Sequence, residues 1–296
     1  MNKRTLALLA AFGASAIYGI NHTIAKDVMP TYIQPYGFIL LRVSGAAILF
    51  WIMSFWAPKE RINKKDLFRI LGCAFFGMVI NMLMFFKGLS LSTPINSAVL
   101  ITISPIIIFS LSVIILKEKI TFLKIFGILL GFAGALSLIL FSEQTAQNAV
   151  NIPLGNALFL INATSYAIYL ILVKPLTVKY HVITLMKWMF LIAVFINLPI
   201  TLSEFNQVEW SSLPLDAILK MTFVVVGTTF MTYLLNIFAL KHLNASTIGV
   251  FMYLQPLLGI LFAVLVGSDS LNMLKVFAAA LVFLGVYIVT NRRASI

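Results

Sequence analysis

The hydrophobic positions of this sequence form long apolar blocks that are separated by short polar stretches. A helix needs about 20 apolar residues to cross the hydrocarbon core of a membrane, and ten segments qualify. They are Thr5–Ala25, Gln34–Trp56, Leu67–Phe86, Pro94–Leu116, Leu123–Phe141, Pro153–Val173, Val182–Leu202, Ala217–Leu240, Ser246–Val266 and Met273–Thr290. The pattern predicts an all-α integral membrane protein with ten transmembrane helices and no soluble domain, so any function must lie within the helix bundle.

The composition agrees with this prediction. Of the 296 residues, 61% are hydrophobic and 10% are charged, whereas soluble proteins carry about 25% charged residues. The net charge of +12 does not indicate nucleic-acid binding, because the basic residues lie in short clusters between apolar blocks. The single cysteine, Cys73, excludes a disulfide framework and a cysteine-based metal site. No cofactor and no metal are predicted.

The distribution of Lys and Arg predicts the orientation of the helices. With the N-terminus in the cytoplasm, fifteen Lys and Arg residues fall on the inner side and four on the outer side. This bias follows the positive-inside rule and predicts that both termini are cytoplasmic. The protein is expected in the bacterial inner (plasma) membrane as a multi-pass protein.

The chain resembles itself at a shift of 151 residues. Gly88 to Leu138 aligns without a gap on Ala239 to Val289, with ten identities in 51 positions and Pro105 on Pro256. We therefore expect residues 1–146 to form a first five-helix repeat and residues 147–296 a second one. Five is odd, so the second repeat enters the membrane inverted, as is typical of secondary carriers.

The motifs resemble those of the drug/metabolite transporter superfamily, specifically its EamA-type ten-span bacterial transporters. The resemblance covers essentially the whole chain and depends on the two five-span halves and on the following residues: Tyr18, Gly19, Ile20, Asn21, Arg42, Pro105, Glu118, Gly127, Gly131, Gly134 and Pro256. Tyr18 stands where the family usually has Trp, and Asp269 where the second-half acid is commonly Glu. The resemblance implies export or exchange of small metabolites, often amino acids, through a central cavity.

Polar residues within the spans are candidates for that cavity, because polar groups are costly in a membrane and mark function or helix contacts. Several recur at helical spacing and at equivalent positions of the two halves. The candidate substrate-binding residues are Tyr18, His22, Arg42, Asn81, Thr102, Asn162, Tyr166, Tyr169, Thr232, Tyr233, Asn236, Tyr253 and Gln255. The alternative for each of them is an interhelical hydrogen bond.

Arg42 is the most informative candidate, since it lies about eight residues into the second span from its outer end, or roughly 12 Å deep at 1.5 Å per residue. Its guanidinium could bind a substrate carboxylate with two hydrogen bonds; the alternative is an ion pair with Asp27 or a contact with helix-end carbonyls. All nine acids lie in loops or at helix ends, so coupling through an intramembrane carboxylate is not expected. Glu118 is expected to stabilise the N-terminus of the fifth span.

Two prolines at mid-span, Pro105 and Pro256, are predicted to kink the helices that move during gating, a static kink being the alternative. Gly127, Gly131 and Gly134, with Ala278 to Ala280, predict close helix packing, or alternatively a dimer interface. The chain is therefore expected as a monomer or a homodimer.

The predicted function is a secondary transporter for small polar metabolites, with amino acids or related carboxylates first, acting as an exporter or exchanger. Its partners are the small-molecule substrate and the lipid bilayer, without nucleic acid. An intramembrane enzyme would need a reactive constellation of residues, and a channel a filter loop or rings of charge; the sequence shows neither. Carriers of nucleosides, sugars or drugs remain alternatives.

Overall fold

The computed structural model describes residues 2–29, 31–92, 100–140, 151–265 and 273–291. Most of these residues are helical, and no strand occurs among them. The helices are α1 (Lys3–Val28), α2 (Pro35–Met53), α3 (Lys64–Leu91), α4 (Ser104–Leu116), α5 (Phe122–Leu140), α6 (Ile152–Lys179), α7 (Val182–Asn206), α8 (Leu215–His242), α9a (Ala245–Phe251), α9b (Leu254–Leu265) and α10 (Met273–Thr290). A short 3₁₀ turn spans Trp210–Ser212.

Seven helical stretches in the described part of the chain are long and apolar enough to cross a membrane, judged by length and composition. They are α2, α3, α6, α7, α8, α10 and the stretch Ala245–Phe262, while Ser104–Leu116 and Phe122–Ser137 are shorter apolar helices. The prediction of an all-helical membrane protein is confirmed. The count of ten spans, the repeat boundaries, the inverted orientation and the cytoplasmic termini remain predictions, and the start of the predicted fourth span, from Pro94, lies outside the described residues.

Local sequence explains where several helices begin and end. The side chain of Asn63 accepts a hydrogen bond from the Lys65 amide at 3.0 Å, and that of Asn151 accepts one from the Leu154 amide at 3.1 Å. Both are N-caps, which satisfy amides that have no partner within the helix. Lys117 ends α4 in the left-handed conformation, with φ 55.

Each helix of the first predicted half makes the same kind of contacts as its counterpart, 151 residues later, in the second. Helix α1 packs against α8 and α9b, and its counterpart α6 packs against α3 and α4. Helix α2 packs against its counterpart α7, and α5 against its counterpart α10. The main contacts of these helices therefore join one predicted half to the other, and the buried core includes residues from both.

Both α3 and α8 contain a π-helical turn at corresponding places, Phe75–Ile80 and Val224–Met231. A π turn carries an extra residue and redirects the side chains beyond it, and such turns occur frequently at functional sites. Each π turn lies one helical turn or less before a polar candidate, Asn81 in α3 and Thr232 in α8.

One end of the bundle, here called the basic end, is held together by interactions of charged side chains. Lys179 pairs with Asp66 at 2.9 Å. The side chain of Lys174 caps the C-terminus of α8, because it donates hydrogen bonds to the carbonyls of Leu240 and Leu243. The side chain of Arg4 donates to the Thr290 carbonyl at 2.8 Å. The basic end contains Arg4, Lys174 and Lys179, which the sequence predicts on the cytoplasmic side.

Glu118 also lies at the basic end, but it caps a different helix from the expected one. Its carboxylate accepts hydrogen bonds from the Ala245 amide at 2.8 Å and from the Ser246 hydroxyl, at the N-terminus of α9a rather than of α5. It pairs with Lys124 at 3.5 Å, and the two side chains are 8% and 2% exposed. These four residues form a buried latch that joins the end of α4 to the start of α9a.

Small residues allow α5 and α10 to approach closely, as the sequence predicts. A methyl group added to Gly134 would lie 2.7 Å from the Ala278 carbonyl oxygen, and one added to Gly127 would lie 2.9 Å from that of Gly285. The glycines of α5 are therefore used within the chain for helix packing.

We expect Gly285→Ala to lower thermal stability, because its methyl group would lie 2.5 Å from the Gly127 carbonyl oxygen and 2.7 Å from the Gly131 amide nitrogen. Backbone atoms yield only if the helices separate, and overpacking of this kind costs about 1–3 kcal/mol. The melting temperature in detergent measures the effect. Gly13→Ala is the matched control, since its nearest neighbour is 3.7 Å away. Equal melting temperatures for the two variants would show that α5 and α10 pack less tightly than described.

Candidate binding cavity

A cavity of about 130 Å³ lies between the two halves. Fourteen described residues line it: Tyr18, Asn21, Arg42, Asn81, Met82, Phe85, Phe86, Ile101, Ser104, Asn162, Tyr166, Tyr233, Met252 and Gln255. They come from α1, α2, α3, α6, α8 and the regions around the starts of α4 and α9b. Contributions from both halves are what a site between two repeats requires.

The two mid-span prolines coincide with interruptions rather than with simple kinks. Before Pro105 the chain turns at residues 102–103 and α4 begins at Ser104, and before Pro256 it turns at residues 252–253 and α9b begins at Leu254. Proline favours this outcome because it fits the first turn of a helix but not its interior. The interruptions place Ile101, Ser104, Met252 and Gln255 in the cavity wall. Irregular backbone within a membrane domain is tolerated where it lines a cavity.

Arg42 is the one charged residue among the described lining residues. Its side chain is 8% exposed, its Nε donates a hydrogen bond to Thr229 Oγ1 at 3.0 Å, and its guanidinium carbon lies 5.6 Å from the centre of the Phe86 ring. No carboxylate within the described ranges forms an ion pair with it. The expected alternative partner, Asp27, pairs with Lys220 at 3.1 Å. The two terminal nitrogens of Arg42 are therefore available to a ligand.

Thr229 orients Arg42 from the π turn of α8. Its hydroxyl accepts the hydrogen bond from Arg42 and donates one to the Val224 carbonyl at 2.9 Å. Thr229 is fully buried, so its bonds are not exchanged with water. The arrangement holds the guanidinium in one position before a ligand arrives.

Polar side chains on α3, α6 and α8 form one wall of the cavity. The side-chain nitrogen Nδ2 of Asn81 donates to the backbone carbonyl of Asn162 at 3.3 Å. In return, Nδ2 of Asn162 donates to the backbone carbonyl of Asn81 at 2.7 Å. Tyr233 donates its hydroxyl hydrogen to the Gly77 carbonyl at 2.9 Å. These side chains line the cavity and also join helices, so an interhelical hydrogen bond does not remove a residue from the cavity wall.

Apolar side chains form a second wall, made of Met82, Phe85, Phe86, Ile101 and Met252. The rings of Phe85 and Phe86 lie 5.2 Å apart in a T-shaped arrangement. The cavity thus presents one cation, several neutral polar groups and an apolar surface.

The structure brings seven of the predicted residues together around this cavity. They are Tyr18, Arg42, Asn81, Asn162, Tyr166, Tyr233 and Gln255. The side chain of His22 lies outside what the structure describes.

Five other predicted residues do not line the cavity. Thr102 is buried in the turn before α4, Thr232 donates to the Thr228 carbonyl, and Asn236 donates to Tyr166 at 3.5 Å. Tyr169 and Tyr253 cover glycines instead: methyl groups added to Gly77 and Gly131 would lie 2.6 Å and 2.5 Å from their rings. Helical spacing places a residue on a face, but which neighbour that face meets depends on the packing.

Sequence reasoning left two polar lining residues, Asn21 and Ser104, out of the predicted site. Asn21 follows Tyr18 by three residues and so shares its face of α1, and Ser104 precedes Pro105. These signals were sufficient to include both. The apolar wall carried no such signal, because Phe and Met at these positions resemble ordinary membrane-span residues.

Comparison with known proteins gives consistent matches over the chain. The model of the EamA-like transporter family matches residues 5–140 and again residues 153–291. A protein of Archaeoglobus fulgidus named as an uncharacterized transporter is 27% identical over 288 residues, which is 97% of this chain and 98% of that protein. The uncharacterized transporter YetK of Bacillus subtilis is 22% identical over 301 residues, which is 99% of this chain and 89% of YetK. One crystal structure with 16% sequence identity shares the fold, with a TM-score of 0.79 over 96% of each chain.

Proposed function

Since the chain belongs to the EamA-like transporter family, we propose that it is a secondary transporter for small metabolites that carry a carboxylate, amino acids or related compounds. It works by alternating access in the bacterial inner membrane and acts as an exporter or exchanger. The resemblance to the drug/metabolite transporter superfamily is confirmed by the family match, which occurs once in each half of the chain. The family is one of transporters and not an enzyme class.

The observation that carries the substrate proposal is the environment of Arg42. It is a buried cation that lines a cavity and has no carboxylate partner among the described residues. A buried charge is costly unless it is paired, and the terminal nitrogens of a guanidinium match the two oxygens of a carboxylate. A substrate carboxylate would supply the missing partner.

Three features support alternating access. The cavity is lined by residues from both halves, helices α4 and α9b begin beside it after interruptions, and the latch of Glu118 joins the end of α4 to the start of α9a at the basic end. Broken helices at a site between two repeats are a recurring design of secondary transporters. Release of the latch would free the end of α4 from the start of α9a, so that the two interrupted helices could move relative to each other.

Counterflow in proteoliposomes tests the proposal. Vesicles containing the purified protein would be loaded with pooled carboxylates, with sugars or with nucleosides, and the uptake of a labelled member of the same pool would be followed. We expect saturable uptake with the carboxylate pool, against empty vesicles as the control. Saturable uptake with sugars or nucleosides alone would overturn the substrate class, and uptake that rises linearly with concentration would indicate a channel.

Thr229→Val is expected to raise the half-saturating substrate concentration by roughly three- to tenfold, because the Arg42 Nε loses its acceptor and one hydrogen bond is worth about 0.5–1.5 kcal/mol. Thr229→Ser keeps the hydroxyl and should retain the wild-type value. Counterflow kinetics on the two variants measure the difference. Impairment by serine but not by valine would contradict the prediction and assign Thr229 a packing role through its methyl group.

A further inference from the structure

Resting on the proposed function, we infer that the cavity selects monocarboxylates without an ammonium group, such as 2-oxo acids with a short apolar chain, over zwitterionic amino acids of the same skeleton. The inference goes beyond the presence of a carboxylate in the substrate. It depends on the charge balance of the cavity, on the engagement of every described acid elsewhere, and on the apolar wall.

The described lining of the cavity contains a cation and no acid. Arg42 is accompanied there by amides, hydroxyls and apolar groups. A monocarboxylate bound at Arg42 makes the pair neutral, whereas a zwitterion leaves the site with a net positive charge. In a site of low dielectric constant the neutral combination is favoured.

The described acids, which would be needed to balance an ammonium group, have other partners. Asp66 pairs with Lys179, Glu118 with Lys124, and Asp27 and Asp216 with Lys220. Glu60 accepts a hydrogen bond from the His181 amide at 2.8 Å, and Glu204 accepts one from the Tyr36 amide at 2.6 Å at the start of α2. Glu209 accepts one from the Ser212 hydroxyl at 3.2 Å. Each of these groups belongs to a helix end or a loop connection. None of them lines the cavity within the described ranges.

An ammonium group would also be close to the Arg42 cation. In an amino acid the nitrogen is attached to the carbon next to the carboxylate, so a carboxylate held by the guanidinium brings the ammonium to within about 6 Å of it. At that distance two like charges repel appreciably at the effective dielectric constant of about 20 that describes protein sites. A 2-oxo group at the same carbon carries no charge and can accept hydrogen bonds from hydroxyl or amide donors of the polar wall.

The size and the apolar wall of the cavity set the rest of the substrate. A protein cavity of about 150 Å³ accommodates benzene, so the 130 Å³ found here suits a small substrate, and one with the carbon skeleton of leucine requires some opening of the cavity. Met82, Phe85, Phe86, Ile101 and Met252 offer contacts to an aliphatic chain rather than to a second polar head. A short branched or linear chain fits this surface.

The experiment compares three substrates that share one carbon skeleton: 4-methyl-2-oxopentanoate, 4-methyl-2-hydroxypentanoate and leucine. Each would compete for labelled counterflow of the oxo acid in proteoliposomes of the wild-type protein. We expect half-saturating concentrations for the oxo and hydroxy acids at least tenfold below that for leucine. The hydroxy acid separates charge from geometry, because its second carbon is tetrahedral like that of leucine.

A variant that restores a cavity acid provides a second measurement. Gln255→Glu places a carboxylate in the lining and should reduce the oxo-to-amino preference severalfold, whereas Gln207→Glu adds the same charge at an exposed residue after α7 and should leave the preference unchanged. Leucine competing as well as the oxo acid in the wild type would overturn the inference and leave the proposed function standing. If the protein transports sugars or nucleosides but none of the three acids, the proposed function itself is overturned.

Discussion

Replacing Arg42 with glutamine is expected to raise the half-saturating concentration of a carboxylate substrate by about 10- to 100-fold. A hydrogen-bonded charged group contributes about 1.5–3 kcal/mol, and about 1.4 kcal/mol corresponds to a factor of ten. The same change should not lower the melting temperature of the protein in detergent. Arg42 has no carboxylate partner among the described residues, and Thr229 keeps its bond to the Val224 carbonyl, so the substitution removes a buried charge without leaving another unpaired.

Arg42→Lys is the matched control for this prediction. Lysine keeps the charge but lacks the planar fork that binds both carboxylate oxygens, so its half-saturating concentration should lie between those of the wild type and the glutamine variant. Counterflow kinetics and thermal melting would be measured on the same preparations. A glutamine variant that melts at a lower temperature and transports with unchanged kinetics would assign Arg42 to the structure of the bundle rather than to the substrate.

Glu118→Gln is expected to destabilise the protein by about 3–5 kcal/mol, since removing one partner of a buried ion pair leaves the other charge uncompensated. Lys124 is 2% exposed and would keep only its hydrogen bond to the Lys119 carbonyl, at 3.2 Å. The N-terminus of α9a would also lose a charged acceptor for amides that have no partner within the helix. The melting temperature in detergent should fall by roughly 10 °C.

Two further variants separate the latch from a general effect of losing an acid. Glu209→Gln alters an exposed glutamate and should leave the melting temperature within about 1 °C of the wild type, as surface substitutions usually change stability by less than about 0.5 kcal/mol. Lys124→Met combined with Glu118→Gln should recover part of the loss, because residues in contact are energetically coupled. If the loss of melting temperature in the double variant equals the sum of the losses in Glu118→Gln and Lys124→Met, the two residues are not coupled and the latch is contradicted.

Much of the helical architecture follows from local sequence. The tenth predicted span coincides with α10, at Met273–Thr290, and the ninth, Ser246–Val266, corresponds to α9a and α9b with an interruption just before Pro256. Glu118 shows where local reasoning stops. Its position before α5 suggested a role at that helix, yet its carboxylate reaches α9a, which follows it by more than 120 residues in the chain.

By itself, the sequence determined the all-helical membrane class and the positions of most helices, and it identified Arg42 as a candidate for the binding site. These conclusions depend on hydrophobic length, on charge and on the cost of a buried ion, all of which are properties of the chain alone. Only the tertiary structure decided that Asn21 lines the cavity while Tyr169 and Tyr253 pack against glycines, and that Asp27 pairs with Lys220. The physical reason is that helical periodicity defines the faces of a helix, whereas the rotation of each helix against its neighbours, set here by close glycine contacts, π turns and interruptions before proline, selects which face meets the cavity.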